Sequence, residues 1–236
     1  MKSFIIAKKE VYSYFNSLSA YIVGVVFLLI SGWFFVSNLF LAGMANLRTV
    51  IELMPFLFLF FIPAITMGNF SEEKKQGTIE LLFTLPLSDW DLILGKFLSS
   101  LALTVIILGF TLVYPITLSL LGNPDTGQII AQYCGVVLMA ASYIAIGIAI
   151  SSFTTSQVIS FIVTFLILFF FFIVDKFFMF LPDFVANILR QIAIMPHFHN
   201  MIKGVMDSSD IVYFLSLITL FLFVTLFSLE RRHFNG

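Results

Sequence analysis

Charge is what this 236-residue sequence has least of: 11% of its residues are Asp, Glu, Lys or Arg, against about 25% in ordinary globular proteins. A water-soluble fold needs that charge on its surface, so a soluble core is excluded. The 60% hydrophobic content and mean hydropathy of +1.08 point instead to an integral membrane protein. Basic excess is missing as well. A formal net charge of −1 argues against a nucleic-acid partner, because neutralising phosphates requires a positive surface. Cysteine is limited to Cys134, which excludes an internal disulfide and leaves the redox compartment unreadable.

Catalytic signatures are lacking too. The chain has no G-x-x-x-x-G-K-[ST], no G-x-G-x-x-G, no H-E-x-x-H and no G-x-S-x-G, so it is not expected to hydrolyse nucleotide by itself or to act as an intramembrane enzyme. His197 and His199 invite a metal reading. Two residues apart they do not share a helix face, and no Cys or third His lies nearby to complete a site; an interfacial polar pair is the plainer reading. Ionisable residues are absent from the centres of the long apolar runs, with Glu52 and Asp175 near their ends. Charges buried in lipid are costly and mark ion pathways, so a proton- or sodium-coupled transporter is disfavoured. There is no internal repeat, low-complexity linker or soluble domain. The chain reads as one transmembrane domain, 1–236.

What the sequence does have is apolar length. About 20 residues of helix cross a hydrocarbon core, and the uncharged runs predict six spans: Tyr21–Leu41, 53–71 kinked by Pro55 and Pro63, 97–124 with Pro115 late in it, two within 126–174 joined by Ser151–Gln157, and 211–229. The expected fold is an all-α integral membrane protein. Ahead of the first span, Phe4, Ala7, Val11, Phe15 and Leu18 recur at helical spacing with Lys8 and Lys9 off the stripe, which predicts an amphipathic interfacial helix over 2–18. The apolar run behind it is too long for a signal peptide, so this start is expected to be retained.

Lys and Arg fix the expected orientation. With the N-terminus cytoplasmic, eight basic residues fall inside and four (Arg48, Lys176, Arg190 and Lys203) outside, giving N-in and C-in. The segment 175–210 then lies outside. Pro182, Phe184, Ile188, Leu189, Ile192 and Pro196 suggest one or two short helices there, resting on or dipping into the outer face.

Within the spans, Ala141, Ala145 and Ala149, with Gly135, Ala140, Ser142 and Gly147 nearby, offer a surface for close helix approach, within the bundle or against a second copy. Asn38, Gln132, Ser160 and Thr164 are candidates to line a transport path, with an interhelical hydrogen bond as the default reading for each.

The one large charged island is Ser71–Lys96, with three of the twelve basic and five of the thirteen acidic residues. Ser71, followed by Glu72 and Glu73, can cap and favourably charge a helix start, and Gly77 breaks the pattern. Thr78 can cap a new short helix with Glu80 in its first turn and Leu81, Leu82 and Phe83 available for burial, stopped by Pro86. Ser88–Asp91 has the form of a capping box opening the third span.

At these residues the chain resembles a family. Ser71–Ser88, directly after Pro63–Met67, resembles the cytoplasmic signature of ABC-2 type transporter permease subunits, most of all the gliding-motility-associated permease and more distantly that of nitrous-oxide-reductase maturation. Phe198–Asp207 and Asp210–Leu215 fit the same subgroup, and the resemblance covers essentially the whole chain.

The resemblance implies a bacterial inner-membrane exporter with two permease subunits, identical or not, and two ATP-binding subunits that carry the ATP and Mg; this chain itself would hold no cofactor. It makes the Thr78–Leu85 helix a coupling helix, with Gly77 giving the turn, Thr78 and Glu80 the polar start, Leu81 and Leu82 the buried contact and Pro86 the exit. The N-terminal helix would be the connecting elbow. A membrane anchor that recruits an ATPase and passes mechanical work to an extracytoplasmic partner is the alternative, and cargo is not specified.

Overall fold

The computed structural model describes residues 2–41, 46–78, 87–122, 124–177, 184 and 191–233. These form α1 (Lys2–Asn16), α2 (Leu18–Leu41), α3 (Arg48–Thr66), α4 (Ser71–Gln76), α5 (Asp89–Phe110), α6 (Val113–Leu121), α7 (Thr126–Phe153), α8 (Gln157–Phe177), α9 (Ile194–Ile202) and α10 (Ser208–His233), with no strand among the described residues. Six helices are long and apolar enough to cross a membrane: Ala20–Phe40, Arg48–Gln76, Asp89–Leu121, Thr126–Phe153, Gln157–Val174 and Ser208–Glu230. The six expected spans are therefore present.

Two boundaries differ from expectation for one reason. Counting uncharged residues ends a span at the first charge, but a helix continues through charges that find partners. The second span starts at Arg48, which pairs with Glu52 one turn on at 2.8 Å, and runs unbroken through Pro55 and Pro63. The third starts at Asp89 and carries Lys96 inside its helix, 2% exposed. The loop expected over Ser71–Lys96 thus shortens to the stretch between Gln76 and Asp89.

Pro115 does interrupt the third span. Its ring lacks an N–H and would strike the carbonyl four residues back, and the helix gives way to a turn at Thr111 and Leu112. The Thr111 carbonyl accepts the Tyr114 N–H and, from α7, the Tyr133 hydroxyl, both at 2.9 Å, which ties the break to the neighbouring helix.

The bundle is built around α7, in which every residue from Met139 to Ala149 is buried. Small side chains make this central position accessible, because α3, α5, α8, α9 and α10 all pack against it. The small-residue pattern of the fourth span thus serves packing within one copy. At its far end, Gly135 admits Met201 of α9, whose Cβ lies 2.8 Å from where a glycine Cβ would stand.

The N-terminal helix packs on α5, where Gly95 leaves room for Ile6. Its packing face is Ile6, Ala7, Glu10 and Tyr14, whereas Phe4 and Leu18 of the expected apolar stripe are 70% and 75% exposed. The helix is present, but its packing face is partly polar: of the expected stripe it buries Ala7 and half-buries Val11, while Phe4, Phe15 and Leu18 stay exposed.

Candidate functional site: the clamped base of the 77–88 connection

The connection between the second and third spans is closed at both ends by local chemistry. At the entry, Gly77 adopts a left-handed backbone with φ of 69°, a conformation that glycine enters without steric cost. Its N–H and that of Thr78 return to the carbonyls of Lys74 (3.3 Å) and Glu73 (3.0 Å), satisfying groups a helix C-terminus leaves open. The Thr78 hydroxyl also donates to the Glu73 carbonyl, at 3.3 Å. At the exit the expected capping box forms: Ser88 Oγ accepts from the Asp91 N–H at 3.2 Å, and Asp91 Oδ2 accepts from the Ser88 N–H at 3.4 Å. Residues 79–86, with the candidates Glu80, Leu81, Leu82 and Pro86, lie outside the described residues.

Ser71 is not the cap that its sequence position suggests. The chain does not start a fresh helix there but reaches α4 through the turn 67–70, and the Ser71 hydroxyl donates back to the Met67 carbonyl. The capping role falls to α7: Ser151 Oγ accepts from the Phe70 and Ser71 N–H groups at 3.0 and 3.1 Å and donates to the Met67 carbonyl at 3.1 Å. Lys74 Nζ donates to the Ser152 carbonyl, which also accepts from Ser228 of α10 at 2.9 Å. The corner between α3 and α4 is thus bolted to the ends of α7 and α10.

The two sides of the connection are then locked together. Lys96 Nζ, buried on α5, donates to Glu73 Oε1 of α4 at 2.6 Å and stands 3.8 Å from Glu10 Oε1 of α1. It also sits over the Phe70 ring, 5.1 Å from its centroid, a placement in which the ring's negative face attracts the cation. A buried ammonium is tolerated only when so paired. A second lock lies beside it: the Tyr14 hydroxyl donates to Asn69 Oδ1 at 2.6 Å, and Asn69 Nδ2 donates to Ser100 Oγ at 2.9 Å. Burial pushes the Tyr14 phenol well above its ordinary value, opposed by its hydrogen bond to Ser100 and reinforced by Glu10 and Glu73. Tyr14 therefore remains a neutral donor.

The four polar candidates within the spans sit apart in their interactions. Asn38 donates to the Phe34 carbonyl of its own helix at 2.8 Å. Gln132 is buried and donates to the Ile202 carbonyl of α9 at 3.0 Å. Ser160 and Thr164 share the buried face of α8 with Leu168, and their hydroxyls have no hydrogen-bond partner among the described residues.

At the opposite end of the bundle, the short helix α9 falls within 175–210 and packs on α7; Pro182, Ile188 and Leu189 lie outside the described residues. His197 Nδ1 bonds Asp210 Oδ1 at 2.6 Å, Asn200 donates to Asp210 Oδ2 at 3.2 Å, and the His197 ring stacks on Tyr213 at 4.0 Å. His197 is thus half of a clasp that fastens α9 to α10. Among the described residues no group of three or more His, Cys, Asp or Glu gathers for a metal.

Sequence reasoning missed Glu10, Tyr14, Asn69 and Ser151, because each finds its partner dozens of residues away. Lys96 carried a visible signal, a lysine within an otherwise apolar helical run.

Six helices long and apolar enough to cross a membrane describe a multi-pass membrane protein, and the comparison with known families says of which kind. Residues 4–234 match the family described as ABC-2 family transporter protein. The chain belongs to that family: it is a multi-pass membrane permease of an ABC transporter, a transmembrane subunit of a kind that is generally non-catalytic and associates with an ABC ATP-binding subunit. No curated protein matches the chain.

Proposed function

We propose that this permease takes up the work of ATP hydrolysis through residues 79–86, seated on the ATP-binding subunit, and uses it to export cargo. The observation that carries the reading is the Lys96–Glu73 pair at 2.6 Å. It bridges the two helices that enter and leave the connection, so a push on 79–86 displaces both spans together instead of being absorbed in a soft loop. Glu10 brings α1 into the same cluster, which gives that helix the role of an interfacial elbow moving with the connection.

In this reading Leu81 and Leu82 supply the apolar contact and Thr78 and Glu80 its polar edge, with ATP and Mg held by the partner. The termini lie on the ATPase side of a bacterial inner membrane, a second permease subunit completes the bundle, and the chain belongs with the gliding-motility subgroup. Ser160 and Thr164 are the candidates to meet cargo when α8 moves, since their hydroxyls are unpartnered at rest.

The test is the double variant Leu81→Glu/Leu82→Glu, co-expressed with the ATP-binding subunit. It is expected to lose co-purification with the ATPase, or to leave its hydrolysis unresponsive to the permease, while the permease keeps its own thermal midpoint. Normal assembly and normal stimulation in that variant would remove the coupling assignment.

A further inference from the structure

A cavity of about 520 Å³ opens among α1, α2, the α3–α4 corner and α5, a size in the range of small-ligand sites, roughly 300–1,000 Å³. Its walls are divided. Toward the loop end they carry Lys9, Glu10, Glu72, Glu73 and Lys96; toward the middle of the bundle they carry Ala20, Val23, Ala64, Ile65 and Leu103. Val23 and Ile65 also border a crevice lined by Phe27, Phe58 and Ile107, which at about 10 Å³ is closed to a chain, the Phe27 and Phe58 rings stacking at 6.0 Å. A chamber with a charged end and an apolar end suits a single amphiphile.

The charges select among amphiphiles. Three carboxylates face two ammonium groups, and one of those, Lys96, is already held by Glu73 and Glu10. Among the described lining residues Lys9 is the cation left to meet a phosphate, and the carboxylates outnumber it, so an anionic headgroup would meet net repulsion. A quaternary ammonium is recognised by a cage of aromatic faces, and among the described residues Tyr14 is the only aromatic one in the lining. A primary ammonium, by contrast, donates hydrogen bonds directly to carboxylates.

We propose that this chamber binds a zwitterionic phospholipid with a primary ammonium headgroup, of the phosphoethanolamine class. Its ammonium lies toward Glu10 and Glu72, its phosphate toward Lys9, and its acyl chains lie against the apolar wall of Ala20, Val23, Ala64 and Leu103. Such a lipid reaches the carboxylates that hold Lys96, which places membrane composition in contact with the clamp. The inference stands on the cavity and does not depend on docking of 79–86 to an ATPase.

The experiment uses the purified full-length chain, delipidated in detergent, and native mass spectrometry with dioctanoyl phosphatidylethanolamine, dioctanoyl phosphatidylglycerol, dioctanoyl phosphatidylcholine and free phosphoethanolamine. The ethanolamine lipid is expected to bind at least tenfold more tightly than each of the other three. Ala64→Phe, which fills the chamber without touching a charge, should weaken it at least tenfold, and so should Lys9→Glu at an exposed position that the fold does not need. Equal binding of the glycerol or choline lipid, binding of free phosphoethanolamine as tight as the lipid's, or two variants that bind like the parent chain would each overturn the proposal.

Discussion

Gly147 of α7 lies so close to Thr66 of α3 that a Cβ built on the glycine would stand 2.1 Å from the Thr66 hydroxyl oxygen and 2.8 Å from its Cβ. The two helices meet backbone to side chain, and Thr66 cannot turn away freely because its hydroxyl donates to the Ile62 carbonyl at 2.9 Å. Gly147→Ala must therefore push the helices apart, at a cost of about 1–3 kcal/mol. The expected result is a lower thermal midpoint in detergent, partly restored when Thr66→Ala is added. Gly109→Ala is the control: nothing lies within 4 Å of that position, and alanine there gains up to about 1 kcal/mol of helix propensity. Equal midpoints for the two glycine variants would contradict the close approach.

The clamp should respond asymmetrically to loss of its partners. Lys96 has 3% side-chain exposure while Glu73 and Glu10 keep 21% and 25%, so the carboxylates can turn toward water and the ammonium cannot. Glu73→Gln leaves a buried cation with Glu10 alone and is expected to cost about 3 kcal/mol, whereas Lys96→Met costs less and the double variant recovers most of the loss. Thermal unfolding of the four chains measures this, and strict additivity would show that the pair does not act as a unit.

At Gly77 no described residue lies within 4 Å, so among these the backbone alone penalises substitution. A side chain in the left-handed region costs about 1–2 kcal/mol, and asparagine tolerates it better than most. Gly77→Asn should preserve association with the ATP-binding subunit and Gly77→Val should reduce it, read by co-purification. A valine variant that assembles normally would mean the turn does not set the aim of the connection.

The clasp at the other end can be opened singly. Asp210 is 2% exposed and receives His197 and Asn200 together, so Asp210→Ala leaves both without their partner at about 1–3 kcal/mol. Hydrogen exchange should accelerate across Ile194–Ile202 while α3 and α7 keep their protection. Unchanged exchange in α9 would show that its apolar contacts with α7 suffice.

The unpartnered hydroxyls of Ser160 and Thr164 make an opposite forecast. Replacing a buried polar group that lacks a partner with an apolar one of similar shape is neutral or stabilising, so Ser160→Ala and Thr164→Val should hold or raise the thermal midpoint. If they meet cargo, transport falls although stability does not. A drop in stability would reveal a hydrogen bond made in the native state.

The sequence by itself determined whatever depends on neighbours along the chain. Six apolar stretches, the break at Pro115, the left-handed stop at Gly77 and the Ser88–Asp91 capping box are local facts, since the groups involved lie within one or two helical turns. Ser71 marks the boundary of that reach: its residue type suits a helix cap, but continuity from α3 removed the need, and Ser151, eighty residues on, met the backbone donors instead. What holds the base of the connection was decided by tertiary structure alone. Glu10, Tyr14, Asn69, Glu73, Lys96 and Ser100 come from three separate helices and the turn between α3 and α4, and a charge that ends a span in a hydropathy count becomes a buried tie once a distant carboxylate reaches it. Lipid-facing composition fixed where helices run; the pairing of polar groups among them, which no local period encodes, fixed which helices are tied together.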